Sequence, residues 1–176
     1  MNKGNISLTQ LKRFLQERTK EELVTDIVEL FTRLDAVKDY YQVQLGPVDD
    51  THVIAKYKKI IQHEFFPTRG LGGLKLAVAR KAISDYKKVC RNPANIAELM
   101  LFYVEQGVRF TNTYGDISEP FYSSMESMFE AAVKVIVENN LIDQFEEPCR
   151  QIVRQTSGIG WGFHDALSQT YEEAFP

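Results

Sequence analysis

The sequence predicts an all-α protein of about seven to eight helices, packed as antiparallel helix pairs in an irregular bundle or short superhelical array, with no significant sheet. Apolar residues recur at the 3.6-residue helical period almost throughout, and no stretch keeps a two-residue alternation between turn residues. Capping boxes and prolines punctuate the periodic runs. With 176 residues, 44% hydrophobic and 26% charged, the chain has the size and composition of one helical domain. Two packed lobes, if present, would part near 67–75 or 92.

The opening residues set two capping boxes, Ser7 with Gln10 and Thr19 with Glu22, in which each side chain satisfies a free N–H at a helix start. They begin a short helix carrying Leu8, Leu11, Phe14 and Leu15, and a longer one carrying Leu23, Ile27, Leu30, Phe31 and Leu34. The longer one is expected to run through Tyr40 and Tyr41 to Leu45, where Gly46-Pro47 stops it. A third helix, about Asp50 to Phe65, has Val53, Ile54, Tyr57, Ile61 and Phe65 on one stripe and Lys56, Lys59 and His63 on another. After a loop from Thr68 to Leu74, a fourth places Leu76, Ala79, Ile83, Tyr86 and Cys90 on one face and Lys81, Ser84, Lys88 and Arg91 elsewhere.

Asn92-Pro93 opens a fifth helix that is apolar on two sides, with Ile96, Leu99, Met100, Tyr103 and Phe110 on one and Ala97, Leu101, Val104 and Val108 on the other. Such a helix belongs at the centre of a fold. The sixth starts near Glu119-Pro120, buries Phe121, Met125, Phe129 and Ile136, and ends at Asn139-Asn140. A seventh covers about Ile142 to Arg154, and the last follows Gly162 to about Tyr171. Pro93, Pro120 and Pro148 read as marking helix starts and ends.

Six of the ten glycines fall in two clusters. Arg69, Gly70, Gly72, Gly73 and Lys75 form a glycine-rich loop that delivers backbone N–H groups and two cations to a helix N-terminus, the physics of an anion site. A plain surface turn is the competing reading. Leu76 stands where a P-loop needs Ser or Thr, so no nucleotide-phosphate signature is present. The second cluster, Gly158 to Asp165, holds Trp161, the one tryptophan, and His164, one of three histidines. His164 with Asp165 next to it, and a further carboxylate such as Glu105 or Asp116, could act as a general base or metal-assisted centre. The alternative has the glycines shaping a turn, Trp161 and Phe163 plugging the core, and His164-Asp165 capping the final helix.

Glu105 and Arg109 stand four apart on the fifth helix, the spacing of an ion pair, and with Tyr114, Trp161 and His164 they could line a pocket. No His-x-x-His, Glu-x-x-His or Cys-x-x-Cys spacing completes a metal set, so no metal and no cofactor is expected. Cys90 and Cys149 read as ordinary core thiols. The longest unbroken apolar run, Leu99 to Val104, falls far short of the roughly 18 residues of a membrane span. With no apolar signal core at the N-terminus, a cytoplasmic location is expected.

The net charge of −3 hides a strongly uneven distribution. Residues 56–91 carry ten basic side chains against Glu64 and Asp85, net +8, while residues 92–176 carry four against thirteen, net −9. Either the basic helices dock on the acidic half, or they face an anionic partner.

The blocks Glu64-Phe65-Phe66-Pro67, Glu105-Gln106-Gly107, Tyr114-Gly115-Asp116 and Gly160-Trp161-Gly162-Phe163-His164-Asp165 resemble a bacterial family of small helical proteins classed as a domain of unknown function. The resemblance implies a helical, cytoplasmic protein and assigns no activity or functional residue. From the residues themselves, the leading expectation is a non-enzymatic binding or scaffold module with an unknown protein partner. The alternatives are a phosphate or nucleic-acid binder working through residues 56–91 and, more remotely, a metal-dependent enzyme around His164.

Overall fold

A computed structural model describes residues 6–45, 51–70 and 72–175. Among them are nine helices: α1 Leu8–Gln16, α2 Lys20–Arg33, α3 Asp35–Leu45, α4 Thr51–Phe65, α5 Leu76–Val89, α6 Pro93–Tyr114, α7 Glu119–Glu138, α8 Ile142–Gln155 and α9 Phe163–Ala174. The described residues contain no strand. Both N-terminal capping boxes form as their spacing requires, with Gln10 N–H donating to Ser7 Oγ and Glu22 N–H to Thr19 Oγ1. Asn92 caps α6 by accepting from the Ala94 N–H at 3.0 Å, with Pro93 in the first turn.

The expected second helix is two helices. Leu34 is extended (φ −119°, ψ 114°), so the chain turns a corner between Arg33 and Asp35 before coiling again. Asp35 sits in the first turn of α3, where a carboxylate is favoured by the helix dipole, and the rings of Phe31 and Tyr41 meet edge-on across the corner at 6.2 Å. Beyond the corner, Asp39 is buried against α4. It accepts from Lys56 Nζ at 2.8 and 3.0 Å and from the Tyr57 hydroxyl at 2.8 Å, so this carboxylate fastens α3 to the body. The stop at Gly46-Pro47 and the Asp50 start fall outside the described residues. Pro148, expected at a boundary, lies inside α8. The helix survives the lost N–H because buried Phe145, Cys149 and Ile152 hold it from either side of the proline.

As its two apolar sides require, α6 is central and packs against α4, α5, α7 and α8, while α7 also carries α9. One apolar cluster runs from Val53 to Phe175. At its heart Phe65 is fully buried, with its ring 5.6 Å from Tyr103, 6.3 Å from Phe110 and 6.4 Å from Phe121. Gly107 lets α6 and α7 approach closely: a Cβ there would overlap the Met125 thioether.

The first two helices stand apart from this core. Neither α1 nor α2 buries a side chain, and α2 packs only on α3 among extensive contacts. Leu8, Leu11, Phe14 and Leu15 on α1, with Val24, Ile27, Val28, Leu30 and Phe31 on α2, are all exposed, as are the flanking Ile6 and Leu34. The apolar stripes read from the sequence are real, but the body of the protein does not cover them.

Candidate functional site

The glycine-rich loop after α4 folds back on its own helix. The N–H of Leu74 donates to the Glu64 carbonyl at 3.0 Å, and the N–H of Lys75 donates to the Glu64 carboxylate at 3.2 Å. Gly72 passes so close to the Phe65 and Glu64 carbonyls that a Cβ would collide with backbone, which explains why this position must be glycine. Arg69 and Lys75 are exposed, and neither makes an ion pair with a described residue. Glu64 therefore already places a negative charge at the amide cradle that Gly70, Gly72 and Gly73 shape, and an incoming anion would have to displace it.

In the second glycine cluster the two aromatic residues part company. Phe163 is fully buried, 5.1 Å from the Tyr122 ring. Trp161, expected in the core, is instead 62% exposed, in the left-handed region at φ 64°, with its ring stacked 6.5 Å from Tyr122. The turn that starts α9 forces this, since Gly162 is also left-handed (φ 71°) and swings the indole outward before Phe163 turns in. His164 Nδ1 lies 2.8 Å from Thr156 Oγ1, and that hydroxyl spends its only proton on the Val153 carbonyl at 2.6 Å. His164 must then donate from Nδ1, which leaves Nε2 as an acceptor in the neutral ring. This chain of bonds ties the end of α8 to the start of α9. Asp165 is exposed. Asp116 accepts from the Tyr122 hydroxyl at 3.0 Å. His164 and Asp116 are thus each engaged by a structural neighbour, Thr156 and Tyr122, rather than by one another.

Glu105 and Arg109 do not form the expected ion pair. The Arg109 guanidinium lies over the Phe66 ring at 4.4 Å, and Tyr114 closes the same aromatic group, its ring 4.6 Å from Phe110. Glu105 points instead into a polar groove of about 460 Å³ between α6 and α8, lined by Gln106, Arg109, Asn112, Thr113, Gln151 and Gln155. The five residues expected to share a pocket are divided: Glu105 and Arg109 line this groove, whereas Tyr114, Trp161 and His164 do not. The carboxamide oxygen of Gln106 is buried without a donor, a cost that α6 bears at this point.

Burial raises the Glu105 carboxyl above its usual range, Lys58 opposes the shift, and Glu98 adds to it. Burial, then the Glu105 charge, pushes the Cys149 thiol up to about 12, so it stays protonated and unreactive near neutrality. The folded state holds the Glu105 proton more tightly than the unfolded chain does. Stability contributed by this group is therefore full below the ordinary value of 4.5 and falls as pH rises through the raised one. Glu105→Gln is expected to leave the melting temperature nearly unchanged at pH 4 and to raise it at pH 7, measured by thermal unfolding at both values. A decrease at pH 7 would mean that the Lys58 attraction outweighs burial.

The basic segment faces outward. Of its ten cations, Lys58 alone reaches an acidic partner in the C-terminal half among the described residues, pairing with Glu98 at 2.6 Å. Lys56 serves Asp39, and Lys81 and Lys88 share Asp85 on their own helix. Arg80 bonds Ser124 and Ser127 of α7, while Lys59, Lys87 and Arg91 are exposed without an ion pair to any described residue. The surrounding protein desolvates Lys87 and Arg80 repels it, both lowering its ammonium.

Sequence reasoning missed three features: the buried Asp39 anchor, the donorless Gln106, and the uncovered face of α1 and α2. The last had only a partial signal, the amphipathic pattern of both helices, which does not record whether another element covers it. Among the described residues, no three His, Cys, Asp or Glu side chains come together to hold a metal ion, and no helix is long and apolar enough to cross a membrane.

No curated protein and no solved structure matches the chain. The model of the Family of unknown function (DUF6155) matches residues 6–174, the whole span from α1 to α9, and the chain belongs to that family.

Proposed function

We propose that the protein is a non-enzymatic protein-binding module of the cytoplasm that docks through the apolar face of α1 and α2. The observation that carries this reading is the concentration of exposed large apolar residues on two helices that bury nothing. A nine-residue helix such as α1 is marginal in water on its own, and its capping box and dipole terms supply only about 1–2 kcal/mol. A partner that covers the stripe would supply the burial that other helices obtain from the core.

A photo-reactive side chain placed at Leu11 or Ile27 is expected to give a discrete protein adduct in living cells, lost when Phe31→Asp is added. The same probe at Lys134, on the outer face of α7, should give none. No adduct at either apolar position would overturn the reading. A second reading, an anionic partner, is favoured by the exposed Lys59, Lys87 and Arg91, which make no ion pair with a described residue, and it predicts adducts at Lys59 in place of Leu11.

A further inference from the structure

The partner suited to this face can be argued from its extent and its charge. The fractional exposures of the eleven apolar residues from Ile6 to Leu34 add to roughly five and a half whole residues, a surface on the order of 1,000 Å². A stable protein interface needs about 800 Å² from each partner, so this face alone is large enough. On α2 the apolar arc takes in Val24, Ile27, Val28, Leu30 and Phe31, wider than a two-helix seam requires and suited to contact with more than one neighbouring helix.

Charge then selects the neighbour. α1 carries Lys12 and Arg13, the latter paired with Glu17 just past its end, while α2 carries Glu21, Glu22, Asp26 and Glu29 against Lys20 and Arg33, with Glu29 and Arg33 paired to each other. Such a surface is complementary to itself when turned over: a twofold axis sets the basic α1 of one copy against the acidic α2 of the other, twice. The junction is also preorganised. Arg18 pairs with Asp26 at 3.1 Å and Glu22 at 3.4 Å and lies over the Phe14 ring at 4.9 Å, which holds α1 and α2 in one relative orientation.

We propose that the occupant is a second copy of this chain, with α1 and α2 of the two copies closing into a four-helix layer in which α1 faces the partner copy's α2. The proposal rests on the protein-binding reading above and deepens it. Core residues of α4 to α9 take no part, so the dimer can be broken without unfolding the body.

Light scattering or sedimentation of the purified chain over about 1–100 µM is expected to give twice the 20.2 kDa chain mass. The Ile27→Asp, Phe31→Asp double variant should associate at least about 30-fold more weakly while keeping its cooperative melting transition. Lys12→Glu should also weaken the dimer, and an equimolar mixture with a Glu21→Lys chain should restore association beyond either alone. A monomeric mass at every concentration, or an unchanged dissociation constant in the double variant, overturns the proposal. Failure of the mixture to recover overturns the α1-to-α2 pairing. A monomer that still forms cellular adducts from Leu11 to a different protein sinks the dimer and leaves the binding module standing, whereas no adduct together with a monomer sinks both.

Discussion

Phe65→Ala is expected to lower unfolding stability by about 3–5 kcal/mol, among the largest losses from a single truncation. Phe65 ends α4 at the point where three rings from α6 and α7 converge on it, those of Tyr103, Phe110 and Phe121. Those residues are themselves anchored, Tyr103 by its hydroxyl to Ser124 at 2.8 Å and Phe121 by the Tyr122 ring at 5.4 Å. The surroundings therefore cannot collapse into the vacated space, and the cavity persists. Against a total of about 5–15 kcal/mol for a domain, this is about a fifth of the stability or more. Urea unfolding checks it: the midpoint should fall steeply with the slope unchanged. A loss below about 1.5 kcal/mol would show that the aromatic cluster repacks.

Gly107→Val should cost about 3 kcal/mol by the opposite mechanism, overfilling. Gly107 lies in the middle of α6, where glycine is about 1 kcal/mol worse than alanine for the helix, so the position opposes helix propensity. The compensation is packing: a Cβ would meet Sδ, Cγ and Cε of Met125, a fully buried side chain of α7 that would have to shift within the core. Gly107→Ala should lose less, because part of the clash is offset by the better helix former. Gly158→Ala is the control, since nothing lies within 4 Å of its Cβ position. Thermal melts of the three variants should rank Gly158→Ala above Gly107→Ala above Gly107→Val. Equal melting temperatures would mean that α6 and α7 can separate without penalty.

Much of this architecture is legible in the sequence because it depends on local rules. Ser7 and Thr19 cap α1 and α2, Asn92-Pro93 opens α6, and the two-sided apolar pattern of 96–110 places α6 at the centre. Other features depend on contacts between distant residues, which periodicity does not record. The corner at Leu34 is invisible in an unbroken apolar pattern and makes sense only once Asp39 is seen bonded to Lys56 and Tyr57, 17 and 18 residues away. The Glu105–Arg109 spacing permits an ion pair, but the Phe66 ring offers Arg109 a competing partner. Trp161 reads as a core residue by type and is turned outward by two successive left-handed residues.

The candidate sites divide along the same line. That residues 70–75 form a glycine loop at a helix start, and that residues 56–91 are basic, follows from composition and order alone. Whether the loop amides are free depends on Glu64, and whether the cations are free depends on what α6 to α9 set opposite them. What the sequence by itself determined is an all-α chain with its helix starts, its central α6 and its amphipathic first two helices, because capping and hydrophobic periodicity act within a few residues. What only the tertiary structure decided is which apolar stripes are covered. Burial depends on where the other elements lie, and among the described residues only α3 packs extensively on α2 while no element packs extensively on α1.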